Sequence, residues 1–504
     1  MTQQMNDKLF LSLENLTVRH LNQVLFKNLT FQVNQGEHWA LLGESGSGKS
    51  ALLQTIAGRF GITAGHINYN FYKQYVSEHT IDDPLFTFHK LIASVQQKHH
   101  FRNLSNTTEF YYQQRYNSFD SEDALTVNDY LKDIQSKTVE NPVWSYRYTV
   151  ERLQLKKLLD KQLIKLSNGE TRRLMIAAAL LRHPLLLLLD SPFTGLDAAS
   201  RPLLNEIISE IARSGITVIM TTSPSEIPDA ITHTAILDQG KIEAALPKDE
   251  FNPEMLHLQP SFELNENELK ALLELKPREN FETIVKMENV SVRYNERQIL
   301  NSINWEIKSG ECWSLTGPNG VGKSTLLSLL NGDNPQAYAN NIILFDKKRG
   351  SGESIWDIKK KIGFVSPELL QYFKTGSTCL QVVESGCYDT MGLFRKSDEA
   401  NAALAERWMK VFQISENSRE PFRNVPASTQ RLCLLARALI KNPPLLILDE
   451  PFQGLDPGQQ EYFKNLIDRI CTLSRTSLIF VSHYKEEIPD CVTKHMELKS
   501  AAAD

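Results

Sequence analysis

Apolar positions along the chain follow two patterns that predict strands and one that predicts helices. Continuous apolar runs such as LLLLLD (185–190) and TVIMTT (217–222) are typical of strands that are buried on both faces of a sheet. Apolar residues at helical spacing occur between such strands, as in TRRLMIAAALLR (171–182). Alternating or apolar strand-like runs occur at 9–20 and again at 284–294. Strands that alternate with helices predict an α/β fold with a mainly parallel sheet.

The chain contains the same arrangement twice. GESGSGKSALLQTIAG begins at Gly43 and GPNGVGKSTLLSLLNG begins at Gly317, each after a strand-like run and before a helical one. The period far exceeds that of a solenoid repeat. We therefore predict two homologous domains, over about 8–248 and 283–498. The polar, acidic segment between them, 249–282, is predicted to be a linker with one short helix over 267–275.

Length and composition agree with two globular domains. A chain of 504 residues is too long for one hydrophobic core, and 41% apolar with 23% charged residues is an ordinary globular composition. The net charge of −5 argues against a broad nucleic-acid interface, so no nucleic acid partner is expected. No apolar run approaches the ~18 residues of a membrane-spanning helix, and the N-terminal residues lack a secretory signal pattern. We expect a cytoplasmic protein, peripheral at the inner face of the plasma membrane if its partner lies there.

All the cysteines lie in the second half of the chain. They are Cys312, Cys379, Cys387, Cys433, Cys471 and Cys491, and no two of them form a CxxC pair. This spacing favours neither a metal site nor a disulfide framework. Buried structural thiols in a reducing compartment are the expectation.

Each glycine-rich stretch fits the P-loop pattern Gly-x4-Gly-Lys-Ser between a strand and a helix. The glycines allow backbone N–H groups to converge on phosphates at a helix N-terminus. The lysine is expected to reach the β- and γ-phosphates of ATP, and the serine to bind Mg²⁺ with the aspartate that ends a later apolar strand. The predicted ATP-binding residues are Gly43, Gly48, Lys49, Ser50, Asp190, Gly317, Gly322, Lys323, Ser324 and Asp449. The metal ligands among them are Ser50, Asp190, Ser324 and Asp449.

Further motifs give the chain a resemblance to a known family. LSNGETRR (166–173) precedes the first aspartate-ended strand and resembles the signature motif of the ABC ATPases. Both copies take part, so the resemblance covers nearly the whole chain. The segments 166–181 and 340–366 resemble those of the tandem ModF-like, or photorepair protein PhrA-like, ATPases. The resemblance implies two P-loop NTPase domains of ABC type. Each would have a mainly parallel core sheet, an antiparallel β part and a helical insert.

The resemblance also implies roles for residues outside the P-loops. Ser167 and Gly169 of the signature would contact the γ-phosphate of a nucleotide bound to the opposite domain. Glu450 would polarise the attacking water and His483 would contact the γ-phosphate, so that with Lys323 they form the expected catalytic set. The other implied residues are Gln97 in the Q-loop, Tyr294 against the adenine ring, and the loop aspartates Asp197 and Asp456.

The two halves depart from the family pattern in different places. In the first half Ser191 replaces the glutamate and Thr222 replaces the histidine, and His20 stands where the second half has Tyr294. In the second half the signature segment reads VPASTQR (425–431), so a proline removes a backbone donor and side chains replace glycines. Family domains pair head to tail, and each nucleotide lies between one P-loop and the opposite signature. Most losses then fall on one composite site, which we expect to bind ATP without hydrolysing it.

One departure falls on the site that is otherwise equipped. Pro367 occupies the Q-loop glutamine position in the second half. Ser366 or Glu368 would have to replace that glutamine as a ligand of the metal shell.

Several functions fit these motifs. The favoured one is an ATP-hydrolysing tandem ABC protein that belongs to, or is associated with, a transport system and a separate membrane permease. A soluble translation-associated ATPase of the ABC-F kind is a second, although the short acidic linker counts against contact with ribosomal RNA. A tandem sugar-importer ATPase is a third, disfavoured by the altered second signature. A nucleotide-switched regulatory module with negligible turnover is a fourth.

Overall fold

The computed structural model describes residues 9–20, 23–96, 125–134, 142–163, 166–196, 200–256, 264–275, 279–294, 297–373 and 376–499. The expected Q-loop residue Gln97 and the loop aspartate Asp197 lie outside these ranges. The described residues up to 256 form one compact unit, and those from 264 onward form a second. No helix in the described part of the chain has both the length and the apolar character needed to cross a bilayer.

The first unit contains strands and helices in alternation. Its strands are β1 Leu9–His20, β2 Gln23–Asn34, β3 Trp39–Leu42, β4 Ile62–Tyr69, β5 Ile92–Val95, β6 Leu186–Asp190, β7 Thr217–Thr221, β8 His233–Asp238 and β9 Lys241–Pro247. Its helices are α1 Lys49–Ile56, α2 Asn70–Glu78, α3 Val127–Ile134, α4 Tyr146–Arg152, α5 Asn168–Leu180 and α6 Ser200–Arg213.

Two sheets build this unit. The core sheet has the order β5-β6-β7-β3-β8-β9, in which all neighbours run parallel except β9, which is antiparallel to β8. A smaller antiparallel sheet has the order β2-β1-β4. Helices α3 and α4 lie between β5 and β6 along the chain and form the helical insert. The P-loop joins β3 to α1 at the carboxyl end of the parallel strands, where α/β proteins bind their ligands.

The second unit repeats this order. Its strands are β10 Thr283–Tyr294, β11 Arg297–Lys308, β12 Cys312–Thr316, β13 Asn341–Leu344, β14 Lys347–Lys348, β15 Ile362–Val365, β16 Leu445–Asp449, β17 Ser477–Val481 and β18 Lys494–Glu497. Its helices are α7 Glu266–Glu274, α8 Lys323–Leu330, α9 Ile355–Lys359, α10 Pro367–Tyr372, α11 Cys379–Glu384, α12 Glu399–Val411, α13 Ala427–Leu439 and α14 Pro457–Ser474.

The second unit also has two sheets. Its core sheet is parallel throughout, with the order β15-β16-β17-β12-β18. Its antiparallel sheet has the order β11-β10-β13-β14. The P-loop again joins a core strand, β12, to the following helix, α8. Helices α10 to α12 lie between β15 and β16 along the chain and form its helical insert. The mainly parallel core, the antiparallel part and the helical insert predicted for each domain are therefore confirmed.

Each core sheet separates two hydrophobic cores, because successive side chains of a strand point to opposite faces. In β6, Leu186 and Leu188 pack toward the antiparallel sheet, whereas Leu187 and Leu189 pack toward the helices. All four are fully buried. The continuous leucine run is thus what a parallel strand covered on both faces requires.

Helix α7 packs on the second unit, although it lies in the segment expected to be a linker. Leu269 and Leu272 are fully buried in the core that also contains the helices α12 and α14. The side-chain amide of Asn442 donates to the carbonyl oxygen of Leu272 at 2.9 Å. Part of the segment 249–282 therefore belongs structurally to the second unit.

We predict that Leu272→Ala destabilises the second unit by about 2–5 kcal/mol, because it opens a cavity in a packed core. Leu275, one residue past the end of α7, is 51% exposed. Leu275→Ala is the matched control and should change the free energy of unfolding by less than about 0.5 kcal/mol. Denaturant unfolding of the full chain measures both. Equal effects of the two substitutions would mean that α7 is not part of the cooperative core.

Candidate functional site

The first P-loop is held against the neighbouring strand by a close backbone contact. Gly43 has a φ of +137°, and a Cβ built on it would lie 2.1 Å from the carbonyl oxygen of Leu237 in β8. Gly48, directly before α1, has a left-handed φ of +106°. The Nζ of Lys49 donates to the carbonyl oxygens of Gly43 at 2.7 Å and Glu44 at 2.6 Å. The lysine ammonium therefore lies within the loop, where an anion can replace these carbonyls as its partner.

The second P-loop has the same geometry. Gly317 has a φ of +143°, and an added Cβ would lie 2.7 Å from the carbonyl oxygen of Leu498. Gly322 precedes α8 with a φ of +106°. The Nζ of Lys323 donates to the carbonyl oxygens of Gly317 at 2.6 Å and Pro318 at 3.2 Å. The two loops are thus equivalent in backbone and in the position of their lysine.

The predicted metal ligands meet in the first unit. The Oγ of Ser50, the second residue of α1, donates to Asp190 Oδ1 at 2.9 Å. Asp190 ends β6 and is 8% exposed. In the second unit Ser324 is likewise the second residue of its helix, and Asp449 ends β16 with 6% exposure. A hydroxyl and a carboxylate are hard oxygen donors, so this pair fits Mg²⁺.

The two expected catalytic residues of the second unit are in contact. Glu450 follows Asp449 in the left-handed conformation, with a φ of 47°, and its N–H donates to the carbonyl oxygen of Val481 at 2.9 Å. Its Oε1 lies 3.1 Å from His483 Nε2. Both side chains are mostly buried, with 16% of the glutamate and 9% of the histidine exposed. A carboxylate and an imidazole therefore lie together at the carboxyl edge of the core sheet, the edge from which the P-loop leads to Lys323.

The first unit keeps this backbone and lacks both groups. Ser191 has a φ of 48°, and its N–H donates to the carbonyl and hydroxyl oxygens of Thr221 at 3.2 and 2.8 Å. The Thr221 hydroxyl in turn donates to Asp190 Oδ1 at 2.7 Å. Thr222, at the histidine position, donates its hydroxyl to the carbonyl oxygen of Glu226 at 3.0 Å. The hydroxyls of Thr221 and Thr222 are engaged in hydrogen bonds within the protein. Neither Ser191 nor Thr222, which replace the glutamate and the histidine, is a base at neutral pH.

The signature segment of the first unit begins a well-capped helix. Ser167 caps α5 in a capping box with Glu170, in which Ser167 N–H donates to Glu170 at 2.8 Å and Glu170 N–H to Ser167 Oγ at 3.3 Å. Burial alone would raise the pKa of Glu170, but hydrogen bonds from Lys161 and the Ser167 backbone lower it overall. Gly169 is buried in the first turn of α5. A charged carboxylate thus fixes the helix N-terminus that carries the signature.

The corresponding segment of the second unit lacks these features. Pro426 stands directly before α13 and makes no side-chain capping bond. Ser428, at the position of Gly169, is 3% exposed. The loop aspartate Asp456, by contrast, caps α14 by accepting from Gln459 N–H at 2.8 Å.

Each unit has a buried arginine close to its site residues. Neither arginine was predicted from the sequence. Arg172 donates to the carbonyl oxygen of Gln96 at 2.8 Å, and Arg431 donates to that of Glu450 at 2.7 Å. Burial lowers the pKa of each guanidinium to about 10. Nearby carboxylates oppose this effect, Asp190 in the case of Arg172 and Glu450 among others in the case of Arg431. Both remain charged at neutral pH. The signal in the sequence was an arginine at matching positions of the two signature segments.

The structure gives a reason for the proline at the Q-loop position. Pro367 is the first residue of α10, where its missing N–H is not needed and its fixed φ suits the helix. Ser366 caps this helix by accepting from Leu369 N–H at 3.2 Å. Glu368 lies close enough to Arg431 for its charge to raise the pKa of that guanidinium. Of the two expected substitutes, Ser366 caps the helix and Glu368 places a negative charge near Arg431.

The aromatic position differs between the two units. Tyr294 ends β10, and its hydroxyl oxygen accepts from the Asn334 side-chain amide at 2.8 Å. His20 ends β1 and lies against Phe60, with ring centroids 4.6 Å apart.

Known proteins match this chain over nearly its full length. The family described as ABC transporter matches residues 26–194 and 300–453. The ABC transporter ATP-binding protein ModF of Escherichia coli (strain K12) is 34% identical over 472 residues, which cover 92% of each chain. An uncharacterized ABC transporter ATP-binding protein of Schizosaccharomyces pombe is 32% identical over 495 residues, 97% of this chain and 98% of that protein.

Solved structures show the same fold at lower identity. An RNase-L Inhibitor matches with a TM-score of 0.53 and 18% identity, over 96% of this chain and 87% of its own. An archaeal ribosome recycling factor, solved with a ribosomal stalk protein, matches with a TM-score of 0.53 and 17% identity over the same shares. Family match, relatives and P-loop geometry agree: the chain belongs to the ABC transporter ATP-binding family, whose domains are ATP hydrolases, and carries two such domains in tandem, as ModF-like proteins do.

Proposed function

We propose that this protein hydrolyses ATP at one composite site and binds ATP without turnover at a second, degenerate one. The observation that supports this best is the contact of Glu450 with His483 beside Asp449. At the corresponding positions of the first unit, Ser191 and Thr222 supply only hydroxyl groups. The two P-loops are otherwise equivalent, so the difference lies in the groups that act on water.

The proposal rests on head-to-tail pairing of the two domains within one chain. The hydrolytic site would combine Lys323, Glu450 and His483 with the signature that begins at Ser167. The degenerate site would combine Lys49 and Ser191 with the altered segment 425–431. The intact signature and the intact catalytic pair then belong to the same site, although they lie in different halves of the chain. The domain boundaries proposed from the sequence, about 8–248 and 283–498, follow this division.

The residues of the hydrolytic site divide the chemistry between them. On ATP binding, Lys323 Nζ exchanges its loop carbonyl partners for β- and γ-phosphate oxygens. Glu450 accepts a hydrogen bond from water and orients the water oxygen toward the γ-phosphorus. As that oxygen bonds to the phosphorus and the bond to the bridging oxygen breaks, the water proton passes to Glu450 and ADP leaves with the bridging oxygen. His483, held beside Glu450, contacts the γ-phosphate and stabilises the charge that develops there. Ser324 and Asp449 would hold Mg²⁺, whose charge would neutralise the phosphate oxygens.

The degenerate site would keep the groups that bind and lack those that activate water. Lys49, Ser50 and Asp190 match their counterparts in the second unit. Ser191 cannot accept a proton at neutral pH, and its hydroxyl lies 3.2 Å from that of Thr221. We therefore propose that ATP at this site stabilises the paired domains and is not turned over.

We further propose that the protein energises a separate membrane permease and acts at the inner face of the plasma membrane. The support is the family described as ABC transporter, together with a full-length relative named as an ABC transporter ATP-binding protein. Co-purification of the Glu450→Gln protein, held in its ATP-bound state, tests this. Recovery of a multi-spanning membrane protein is expected. Ribosomal proteins would favour the translation-associated function, and a partner that is neither membrane-spanning nor ribosomal would favour a regulatory module.

We predict that Glu450→Gln lowers ATP turnover by about 10²–10⁴-fold, because an amide cannot accept the proton of the attacking water. ATP binding should persist, since Lys323, Ser324 and Asp449 are unchanged. Ser191→Glu added to this variant should not restore turnover, because the first unit lacks a histidine at Thr222. Phosphate release measures turnover, and retained radiolabelled ATP measures binding.

Glu461→Gln, on the exposed face of α14, is the control for loss of one carboxylate and should keep wild-type turnover. If Glu450→Gln hydrolyses ATP like the wild type, or if Ser191→Glu rescues it, the assignment of a single hydrolytic site is wrong.

We also predict that Ser167→Arg lowers turnover by roughly 10²-fold, whereas Pro426→Arg has little effect. The first substitution places a bulky cation in the signature that closes the proposed hydrolytic site, and loss of one such donor typically costs this much. The second alters a segment that already lacks the serine and glycines. Since Ser167 also caps α5, which contributes ~1 kcal/mol, thermal unfolding must show that both variants are folded. Equal losses of phosphate release in the two folded variants would contradict head-to-tail pairing.

A further inference from the structure

Three thiols that are far apart in the sequence converge in the second unit. Cys312 begins β12, Cys471 lies in α14, and Cys491 lies in the loop before β18. Their sulfur atoms all lie within 4.8 Å of one another. Within the ranges that the structure describes, no histidine nitrogen or carboxylate oxygen joins them at that distance. This thiol cluster, defined by Cys312, Cys471 and Cys491, was not expected from the sequence.

The arrangement of the cluster is fixed by its surroundings. The N–H of Cys491 donates to Asp468 Oδ1 at 2.7 Å. Asp468 and Cys471 are three residues apart in α14 and therefore lie on the same face of that helix. The hydrogen bond thus holds the loop so that the Cys491 sulfur meets the Cys471 sulfur. Hydrogen bonds of this kind, one step behind the donor atoms, orient the ligands of metal sites.

Two members of the cluster are buried, and the third is partly exposed. Cys312 is 5% exposed and Cys471 is 7% exposed, both within an apolar core that includes Ile470 and Val492. Cys491 is partly exposed. A cation would therefore enter from the side of Cys491.

The spacing of the three sulfurs suits one cation. A point central to three atoms that lie within 4.8 Å of one another is at most about 2.8 Å from each. A metal–thiolate bond is ~2.3 Å long. Closure around an ion would need shifts of about half an ångström, less than a change of side-chain rotamer produces. An isolated buried thiol acts as a small apolar group. Such packing does not require three thiols from separate elements of the fold to meet at one point.

We propose that Cys312, Cys471 and Cys491 form a binding site for a monovalent thiophilic cation, Cu⁺. Thiolate is a soft donor and selects Cu⁺ or Zn²⁺ among biological metals. Structural Zn²⁺ takes four ligands in nearly all sites, and the described residues supply three. On binding, the thiol protons are released to solvent, because the thiolate is the form that binds the metal. This site makes no use of ATP and does not depend on the proposed division of labour between the two composite sites.

The cluster lies on the elements that carry the ATP site, but at their other end. Strand β12 begins at Cys312 and ends directly before Gly317 of the P-loop, so the cluster is roughly 15 Å from the loop by the rise of a strand. Helix α14 begins after Asp456, and Cys491 follows His483 in the same segment of chain. A bound cation would join these elements and stiffen the second unit without blocking nucleotide entry.

The test is a titration of the reduced full-length protein with Cu⁺ under anaerobic conditions, in competition with the chelator bicinchoninate. One high-affinity Cu⁺ per chain is expected. Each of three substitutions should weaken Cu⁺ binding by at least about 100-fold: Cys312→Ser, Cys471→Ser and Cys491→Ser. Substitution of a residue that only hydrogen-bonds to a metal ligand already lowers metal affinity by about 10–100-fold. Cys387→Ser is the matched control, because Cys387 is a partly buried thiol of the same unit outside the cluster. It should bind Cu⁺ like the wild type.

Three results would overturn the proposal: no high-affinity Cu⁺, unchanged affinity in the three variants, or an equal loss in Cys387→Ser. Preference for Zn²⁺ over Cu⁺ would equally contradict the three-coordinate assignment. Alanine variants, followed by thermal unfolding, cover the case in which a buried serine impairs folding. X-ray absorption of the wild-type copper complex is an independent measurement. It should show three sulfur neighbours, and nitrogen or oxygen ligands would count against the cluster.

Discussion

The close contact between the first glycine of each P-loop and the adjacent strand is the constraint on which both sites depend. Gly43 lies against the carbonyl oxygen of Leu237, and Gly317 against that of Leu498. Any side chain at either position would collide with backbone, which cannot move without disturbing the sheet. The contact fixes the loop at the carboxyl edge of the parallel strands. The P-loop lysine can then sit among loop carbonyls, and the following serine can face the aspartate at the end of a neighbouring strand.

The difference between the two units lies in chemistry rather than in backbone. Ser191 and Glu450 both adopt the left-handed conformation, which costs a non-glycine residue roughly 1–2 kcal/mol. Both N–H groups donate to the carbonyl oxygen at the end of the next strand. The turn is therefore a requirement of the fold, whichever side chain it carries. In the first unit Thr221 adds a hydroxyl that binds both Asp190 and the Ser191 N–H, where the second unit has Val481.

The features that the sequence predicted correctly are those that depend on neighbouring residues. The P-loops, the leucine-rich strand before Asp190 and the helices that follow are local patterns, and the structure confirms them. Pro367 was read as a missing glutamine, because a motif comparison does not show that a helix begins there. The place of α7 in the second unit depends on tertiary packing of Leu269 and Leu272. The thiol cluster could not be found from spacing, since its members come from three separate elements of the fold.

The buried arginines explain why a site without a catalytic base would still keep its metal-binding carboxylate. Arg172 is enclosed in the first unit, and Asp190 is the carboxylate whose charge opposes the effect of burial on its pKa. A nearby carboxylate favours the charged form of a buried cation. Several nearby carboxylates act on Arg431 in the same direction, among them Glu450, Asp449 and Glu368. Under the proposed assignment, Asp190 favours the charged form of Arg172 and also holds the metal. Its presence beside Ser191 is therefore compatible with a site that no longer hydrolyses ATP.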